Sequence, residues 1–448
     1  MVNLQANDDH IEVISAIANE NRIPTKEEMW EAFQPKFYHV IVALAWKTLP
    51  PQALLTRIRV AQLVSCTAGI LTLLLARRFL RGQRELSPKV RFISFALVAL
   101  NPGLIGINAQ ATNDSFVILF ASLSLYAGFR FFEHQRTWDF SWMTVSAMLA
   151  SLSKGNGLVI FIAMMGVFMV AFLWGRKAYG LPRSHTTLYG VIFLLSFLAV
   201  VPRTGPYWNH YRQYGSPFVI AMLPRPLPKL FEKTFVYKPG VTSIVDSLLT
   251  FRLFNLLRYP INTTDAEHYP KHRTSLWSQL YGRAHFVHFE DWPPSWRLST
   301  LPWQWTRNLV QNLGRLIFLA AILPTLFLVI ALWKQLISTV RWLGNAKKSQ
   351  LRIGNWLLNL TAFGYMAFIV VYSLRYRDYS VMKTIFILPG LLGFLTLFAR
   401  ECEGFYRYFT DHRSVRLFAD IIIFFLLFFY TVDILVLIGQ LAVQRLAV

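Results

Sequence analysis

The segments "LLTRIRVAQLVSCTAGILTLLLA", "GLVIFIAMMGVFMVAFLW", "LIFLAAILPTLFLVIALW" and "IIIFFLLFFYTVDILVLIGQLAV" are long apolar runs with hardly a charge. Each approaches or exceeds the ~20 residues that an α-helix needs to cross the hydrocarbon core of a bilayer. Inside that core every backbone N–H and C=O must find a partner within the protein, so only helices and closed barrels can span it. A barrel strand would alternate apolar and polar residues, and these runs do not alternate. The fold class expected is therefore an all-α polytopic membrane protein. The composition agrees, with 54% hydrophobic and only 15% charged residues, far more apolar than a soluble domain.

Apolar runs read against Lys/Arg clusters give about ten spans, near residues 55–76, 92–110, 115–131, 140–153, 157–174, 187–202, 308–333, 354–373, 382–399 and 417–440. Four loops rich in positive charge, "RRFLRGQRELSPKVR", "WGRKAYGLPR", "WKQLISTVRWLGNAKKSQLR" and "RECEGFYRYFTDHRSVR", fall on one side when the spans alternate. The positive-inside tendency puts that side in the cytoplasm of a cell (inner) membrane. The same tendency, with attraction to anionic head groups, accounts for the net charge of +22 without invoking nucleic acid. Cys66 lies in a span and Cys402 just after one, so no disulfide framework is implied. No cleavable signal peptide shows in the acidic, polar start.

Four regions follow from this layout: an extracytoplasmic first loop with surface helices (1–50), an N-terminal transmembrane module (51–202), an extracytoplasmic segment (203–307) and a C-terminal transmembrane module (308–448). The segment 203–307 is too long for a simple connector and is expected to fold as a mixed cap over the membrane domain. "YHVIVALAWKTL" is shorter than a span and is expected along the interface. An acidic start on the outer face has no preceding helix to deliver it, and a first membrane helix is expected to be missing ahead of it.

The candidate chemistry gathers at the outer ends of the spans. Asp8 and Asp9, in "QANDDHIEVISAIANEN", are read either as the first turn of a helix capped by Asn7 or as working carboxylates. Ile11, Ile14 and Ala18 form an apolar stripe suited to a helix on the membrane surface. In "NPGLIGINAQATNDSF", Asn113 and Asp114 close a turn and either cap a helix or join the acidic pair. Lys154, in "SLSKGNGLVIF", is costly at membrane depth unless it is paired, faces a wet cavity or snorkels to the interface. The cations Arg375, Arg377 and Lys383 stand on a short outer loop against the positive-inside trend, which suggests an anionic ligand such as phosphate. His285 and His288, in "HFVHFEDW", are three apart and offer metal ligands or, more commonly, polar groups beside aromatics.

Together these pieces resemble the GT-C superfamily of multi-spanning glycosyltransferases, nearest the protein O-mannosyltransferase and lipid A aminoarabinose transferase branch. The resemblance is carried by "NDDH" at 7–10 and by "FQPKFYHVIVA" at 33–43, beside the family's "QPPLYY"-like stretch. "NPGLIGINAQATNDS", "LSKGNGL" and "YWNHYRQYGSPF" add to it. The second proline of the family's "QPP" is Lys36 here, which bears on the substrate the site accepts. The resemblance implies sugar transfer from a polyprenyl-phosphate donor to a lipid, glycan or protein acceptor hydroxyl on the extracytoplasmic face, with inversion. Asp8 or Asp9 would be the general base. Lys154, Arg375, Arg377 and Lys383 would bind the donor phosphate, and His10, Asn113 and Asp114 would serve the acceptor or a divalent cation. A transporter or flippase would instead carry ionisable groups at mid-membrane and an internal repeat, and none is visible. An O-antigen ligase or polymerase also handles lipid-linked sugars, and the acidic first loop separates it from this reading.

Overall fold

The computed structural model describes residues 10–25, 28–178, 183–215, 243–262, 271–290, 301, 303–344, 353–376 and 382–446. Among these residues the chain is built from α-helices and short 3-10 turns, with a single isolated bridge between Asn262 and Glu290. Two short helices come first, α1 (His10–Asn19) and α2 (Phe37–Trp46), with a 3-10 turn at Trp30–Phe33 between them. There follow α3 (Leu54–Gly82), α4 (Pro88–Ala99), α5 (Pro102–Asn108), α6 (Asp114–His134), α7 (Thr137–Ser153), α8 (Leu158–Ala178) and α9 (Arg183–Thr204). Then come α10 (Tyr207–Tyr214), α11 (Ile244–Leu249), α12 (Leu253–Arg258) and α13 (Leu276–His285), and finally α14 (Gln304–Ala320), α15 (Ile322–Gly344), α16 (Ile353–Tyr376), α17 (Leu391–Tyr408) and α18 (Arg413–Leu446).

Seven of these stretches are long and apolar enough to cross a membrane, and an eighth is the bent pair α4 and α5. The expectation of about ten spans differs at two places. The stretch 140–153 is α7, of 17 residues, and the stretch 382–399 opens in 3-10 turns before α17. Both are helical, but neither is a span by length and composition. The span read at 92–110 is broken by Asn101-Pro102. Pro102 starts a new helix without an N–H to satisfy, and the Asn101 side chain accepts from the Leu104 N–H at 2.8 Å. The two halves meet at 48°.

The basic loops meet at one end of the bundle. Arg400 pairs with Glu85 at 2.8 Å, Lys89 with Asp420 at 2.6 Å and Lys334 with Glu401 at 2.6 Å. Three of the four loops read as lying on one side are thus tied together by opposite charges.

Between spans there is little hydrophobic drive, since lipid is as apolar as leucine, so close packing holds the bundle. The main cluster runs from Phe79 and Phe129 through Met143, Met164 and Leu357 to Leu395 and Phe398. A second cluster seats the N-terminal helices on α3 and α6, with Ile14, Tyr38, Trp46, Ile58 and Phe116 buried together. Ile11, Ile14 and Ala18 belong to this cluster, so the stripe read as facing the membrane packs against α2 and α3 instead. Arg57 locks this corner. It donates to the Leu49 carbonyl at 2.8 Å and to the Asn19 side chain at 2.9 Å, and its guanidinium stands 5.6 Å from the Trp46 ring centroid.

Candidate functional site

The site is built where α2, α6, the break after α7 and the turn ahead of α17 come together. At the break, α7 ends as Lys154 turns extended (φ −157°, ψ 149°), and a 3-10 turn over Gly155–Gly157 leads into α8. Gly157 is required there: a Cβ would stand 2.3 Å from the Ala150 carbonyl oxygen. This tight exit swings Lys154 off the helix axis. Its Nζ donates to both carboxylate oxygens of Asp114, each at 2.7 Å. The side chains are 12% and 4% exposed, so the pair is desolvated and neither charge stands alone. The ammonium also lies 5.5 Å from the Phe386 ring centroid, within the range of a cation–π contact.

Asp114 opens the first turn of α6, where the helix dipole favours a carboxylate. Asn113 stands at the N-cap, yet its side chain makes no capping bond. The Thr112 hydroxyl does more, donating to the Asp114 carboxylate at 3.0 Å and accepting from the Asp114 N–H at 3.3 Å. A polar thread continues from there. The Thr112 N–H reaches the Ser65 hydroxyl at 3.4 Å, and Ser65 lies 3.1 Å from the Tyr38 hydroxyl. The thread connects α2, α3 and α6 behind the Asp114–Lys154 pair.

Glu31, Lys36 and His39 complete the cluster; the sequence marked only Lys36, as the departure from "QPP", and gave Glu31 and His39 no role. Glu31 stands in the 3-10 turn Trp30–Phe33, half-buried, with one carboxylate oxygen shielded from solvent and without a hydrogen-bond partner. Burial pushes its carboxyl above the ordinary glutamate range. Lys154 opposes the shift, Asp114 adds to it, and Lys36 and Lys383 oppose it. Lys36 folds back over the same turn, its Nζ donating to the carbonyls of Gln34 at 2.6 Å and Glu31 at 3.1 Å. Burial pulls the Lys36 ammonium down to about 7, against the pull of Glu31. His39 is fully buried, and its imidazole is held well below its usual range, by burial first and then by His10, Lys36 and Lys154. The sequence signal was slight: an acid and a base five residues apart, just ahead of a short apolar helix.

The sequence-read candidates are distributed as follows. Asp114 and Lys154 pair directly, and Lys383, on the turn ahead of α17, stands near enough for its charge to be felt at Glu31. His10 is buried and turned to His39, with ring nitrogens 3.0 Å apart and rings stacked at 5.2 Å. Asn113 is fully buried, and its amide oxygen and nitrogen both lack partners. Asp8, Asp9 and Arg377 lie outside the described residues, and Arg375 is described only as part of α16. The capping alternative for Asn7, Asp8 and Asp9 also lies outside the described residues, α1 being described from His10 onward.

The metal-ligand alternative for His285 and His288 does not hold. His285 bonds the Tyr430 hydroxyl and stands 3.1 Å from the Thr325 hydroxyl. The His288 ring lies 2.6 Å from Asp433 and 3.2 Å from Gln440. All four ring nitrogens are engaged within the protein. Among the described residues no three His, Cys, Asp or Glu side chains gather as cation ligands, and both Asp114 oxygens face Lys154. These donors do not fit a divalent cation, so no step of the reaction is assigned to one.

The helix α13 positions the other wall. Arg283 pairs with Glu290 and donates to the Met382 carbonyl, and Thr384 donates to the Leu280 carbonyl at 3.1 Å. These bonds fix the turn that carries Lys383 and Phe386. The Asn156 amide reaches the Phe386 carbonyl at 3.5 Å from the other side.

A family model for dolichyl-phosphate-mannose-protein mannosyltransferases matches residues 53–202, which include Asp114 and Lys154. No curated protein is matched. Among solved structures, ArnT from Cupriavidus metallidurans in the apo state aligns with a TM-score of 0.35 and 11% identity, covering 90% of this chain and 74% of that one. The same protein bound to undecaprenyl phosphate aligns with a TM-score of 0.34, 14% identity and the same coverage.

Proposed function

We propose, from the match of residues 53–202 to the dolichyl-phosphate-mannose-protein mannosyltransferases, which bears out the likeness to GT-C membrane glycosyltransferases, that this protein moves a sugar from a polyprenyl-phosphate donor to an acceptor hydroxyl. The acceptor is a lipid, a glycan or a protein, and the reaction takes place on the extracytoplasmic face. The observation that carries this reading is the desolvated Asp114–Lys154 pair at the ends of α6 and α7, with Glu31, Lys36 and Lys383 around it.

The chemistry follows from these groups. The acceptor oxygen attacks the anomeric carbon as the bond from that carbon to the phosphate oxygen breaks, and a single displacement inverts the centre. The departing phosphate gathers negative charge. Lys154 and Lys383, with Arg375 at the end of α16 and Arg377 next to it in sequence, are the cations assigned to meet it. Lys154 brings a condition of its own, because Asp114 already offsets its charge. Its ammonium therefore sits in a fixed direction with little net charge until a second anion arrives. The acceptor proton passes to a carboxylate of the segment ahead of α3, for which the sequence offers Asp8 and Asp9.

The test is transfer of a labelled sugar from polyprenyl-phosphate hexoses and pentoses by the full chain in lipid vesicles. Glycosylated acceptor and free polyprenyl phosphate are expected in equal amounts. A donor that binds without ever being consumed would count against the reading and favour a lipid carrier.

A further inference from the structure

Among the described residues, buried polar atoms in or beside the cluster without hydrogen-bond partners include Glu31 Oε2, His39 Nδ1, the Asn113 amide oxygen and nitrogen, Ser115 Oγ and Asn156 Oδ1. Buried polar groups in folded proteins are almost always paired, and each unpaired one costs free energy. Such a concentration in one place marks a position where a hydroxyl-bearing ligand completes the bonding. Within the set, Glu31 Oε2 belongs to the only carboxylate, and a carboxylate oxygen completes its bonding by accepting a proton donor. We propose that Glu31 takes the acceptor's proton in the transfer reaction, in place of Asp8 or Asp9, and that Lys36 is a positioning residue that holds Glu31 for this role.

The inference rests on the glycosyl-transfer reading and names the base within it. Three features support Glu31. Its carboxylate lies in the field of Lys154, the cation assigned to the leaving phosphate, so proton acceptance and charge stabilisation belong to one electrostatic neighbourhood. Burial raises its proton affinity above that of an exposed glutamate, which makes it the stronger base of the two. Lys36, which binds two carbonyls of the turn carrying Glu31, keeps that turn closed while spending its donors on the backbone rather than on the carboxylate. As the acceptor oxygen bonds to the anomeric carbon, its proton moves to Glu31. The carbon–oxygen bond to the phosphate breaks, and its electron pair leaves with polyprenyl phosphate.

The experiment uses the full chain in vesicles with labelled polyprenyl-phosphate sugars. Glu31→Gln is expected to lower transfer to the hydroxyl acceptor by about 100-fold or more, with donor binding within about threefold of wild type. Azide as the nucleophile carries no proton to remove, so glycosyl azide is expected to form at wild-type rate in Glu31→Gln. A merely structural role would not allow that recovery. Lys36→Met is expected to lower the rate constant for hydroxyl acceptors while sparing both the azide reaction and donor affinity. Hydroxyl transfer by Glu31→Gln at wild-type rate overturns the inference, as does a loss that azide fails to bypass. Hydroxyl transfer retained by Glu31→Gln together with a full loss in Asp8→Asn or Asp9→Asn that azide restores would return the role to that aspartate. Absence of transfer by wild type to either nucleophile overturns the glycosyl-transfer reading, and the inference falls with it.

Discussion

The ammonium of Lys154 stands 2.7 Å from each carboxylate oxygen of Asp114, bridging the start of α6 and the break after α7 across 40 residues of sequence. Two charges so thoroughly buried have exchanged water for each other, so removing one strands its partner. Asp114→Leu and Lys154→Met are each expected to cost about 3–5 kcal/mol. The double variant should lose much less than the sum of the two, because neither charge then remains unpaired. Thermal inactivation of the detergent-solubilised protein measures all three. Additive losses would mean that the ion pair contributes little to holding α6 against α7.

Much of this architecture was legible in the sequence because its physics is one-dimensional. A run of apolar residues long enough to span a bilayer has few alternatives, and basic loops collect on one side; the Arg400–Glu85 and Lys334–Glu401 pairs agree with that reading. Asp114 and Lys154 were also legible as charges in apolar surroundings, though not as partners, because pairing depends on the backbone turning extended at Lys154. Glu31 escaped notice for a different reason. It sits in a 3-10 turn with no periodicity of its own, and its environment comes from packing beside α1 and from charges contributed by distant segments. The apolar stripe of α1 was visible too, but a stripe does not say whether lipid or protein covers it, and here α2 and α3 do.

Lys36 gives the cluster a pH signature. Its folded-state value of about 7 lies below the ~10.4 of an unperturbed lysine. Between these values the unfolded chain binds more protons than the folded one, so stability rises with pH through that window. This is opposite in sign to a lysine that gains a carboxylate partner. Glu31 is shifted upward, so above the ordinary glutamate value the folded state binds more protons at this group and its contribution to stability falls as pH rises. Stability measured from about pH 7 to 10 should climb more in wild type than in Lys36→Met. Equal slopes in the two proteins would show that Lys36 titrates as an ordinary exposed lysine.

The far end of the chain is held by a second buried polar knot. Asp433, in α18, accepts from the Val287 N–H at 2.8 Å and lies 2.6 Å from His288 Nδ1, while the other ring nitrogen of His288 faces Gln440 at 3.2 Å. These bonds anchor the turn after α13 to the last span, and α13 in turn holds the segment carrying Lys383. Asp433→Leu should therefore strand a buried N–H and a buried imidazole, at a cost of about 3–5 kcal/mol. Asp433→Asn, which keeps an acceptor oxygen, should lose less. Hydrogen exchange resolved along the chain tests this directly. Exchange at residues 286–289 is expected to rise in Asp433→Leu while α6 and α7 remain as protected as in wild type. If the increase spread evenly over the whole bundle, the knot would be a general support rather than a local anchor for the turn.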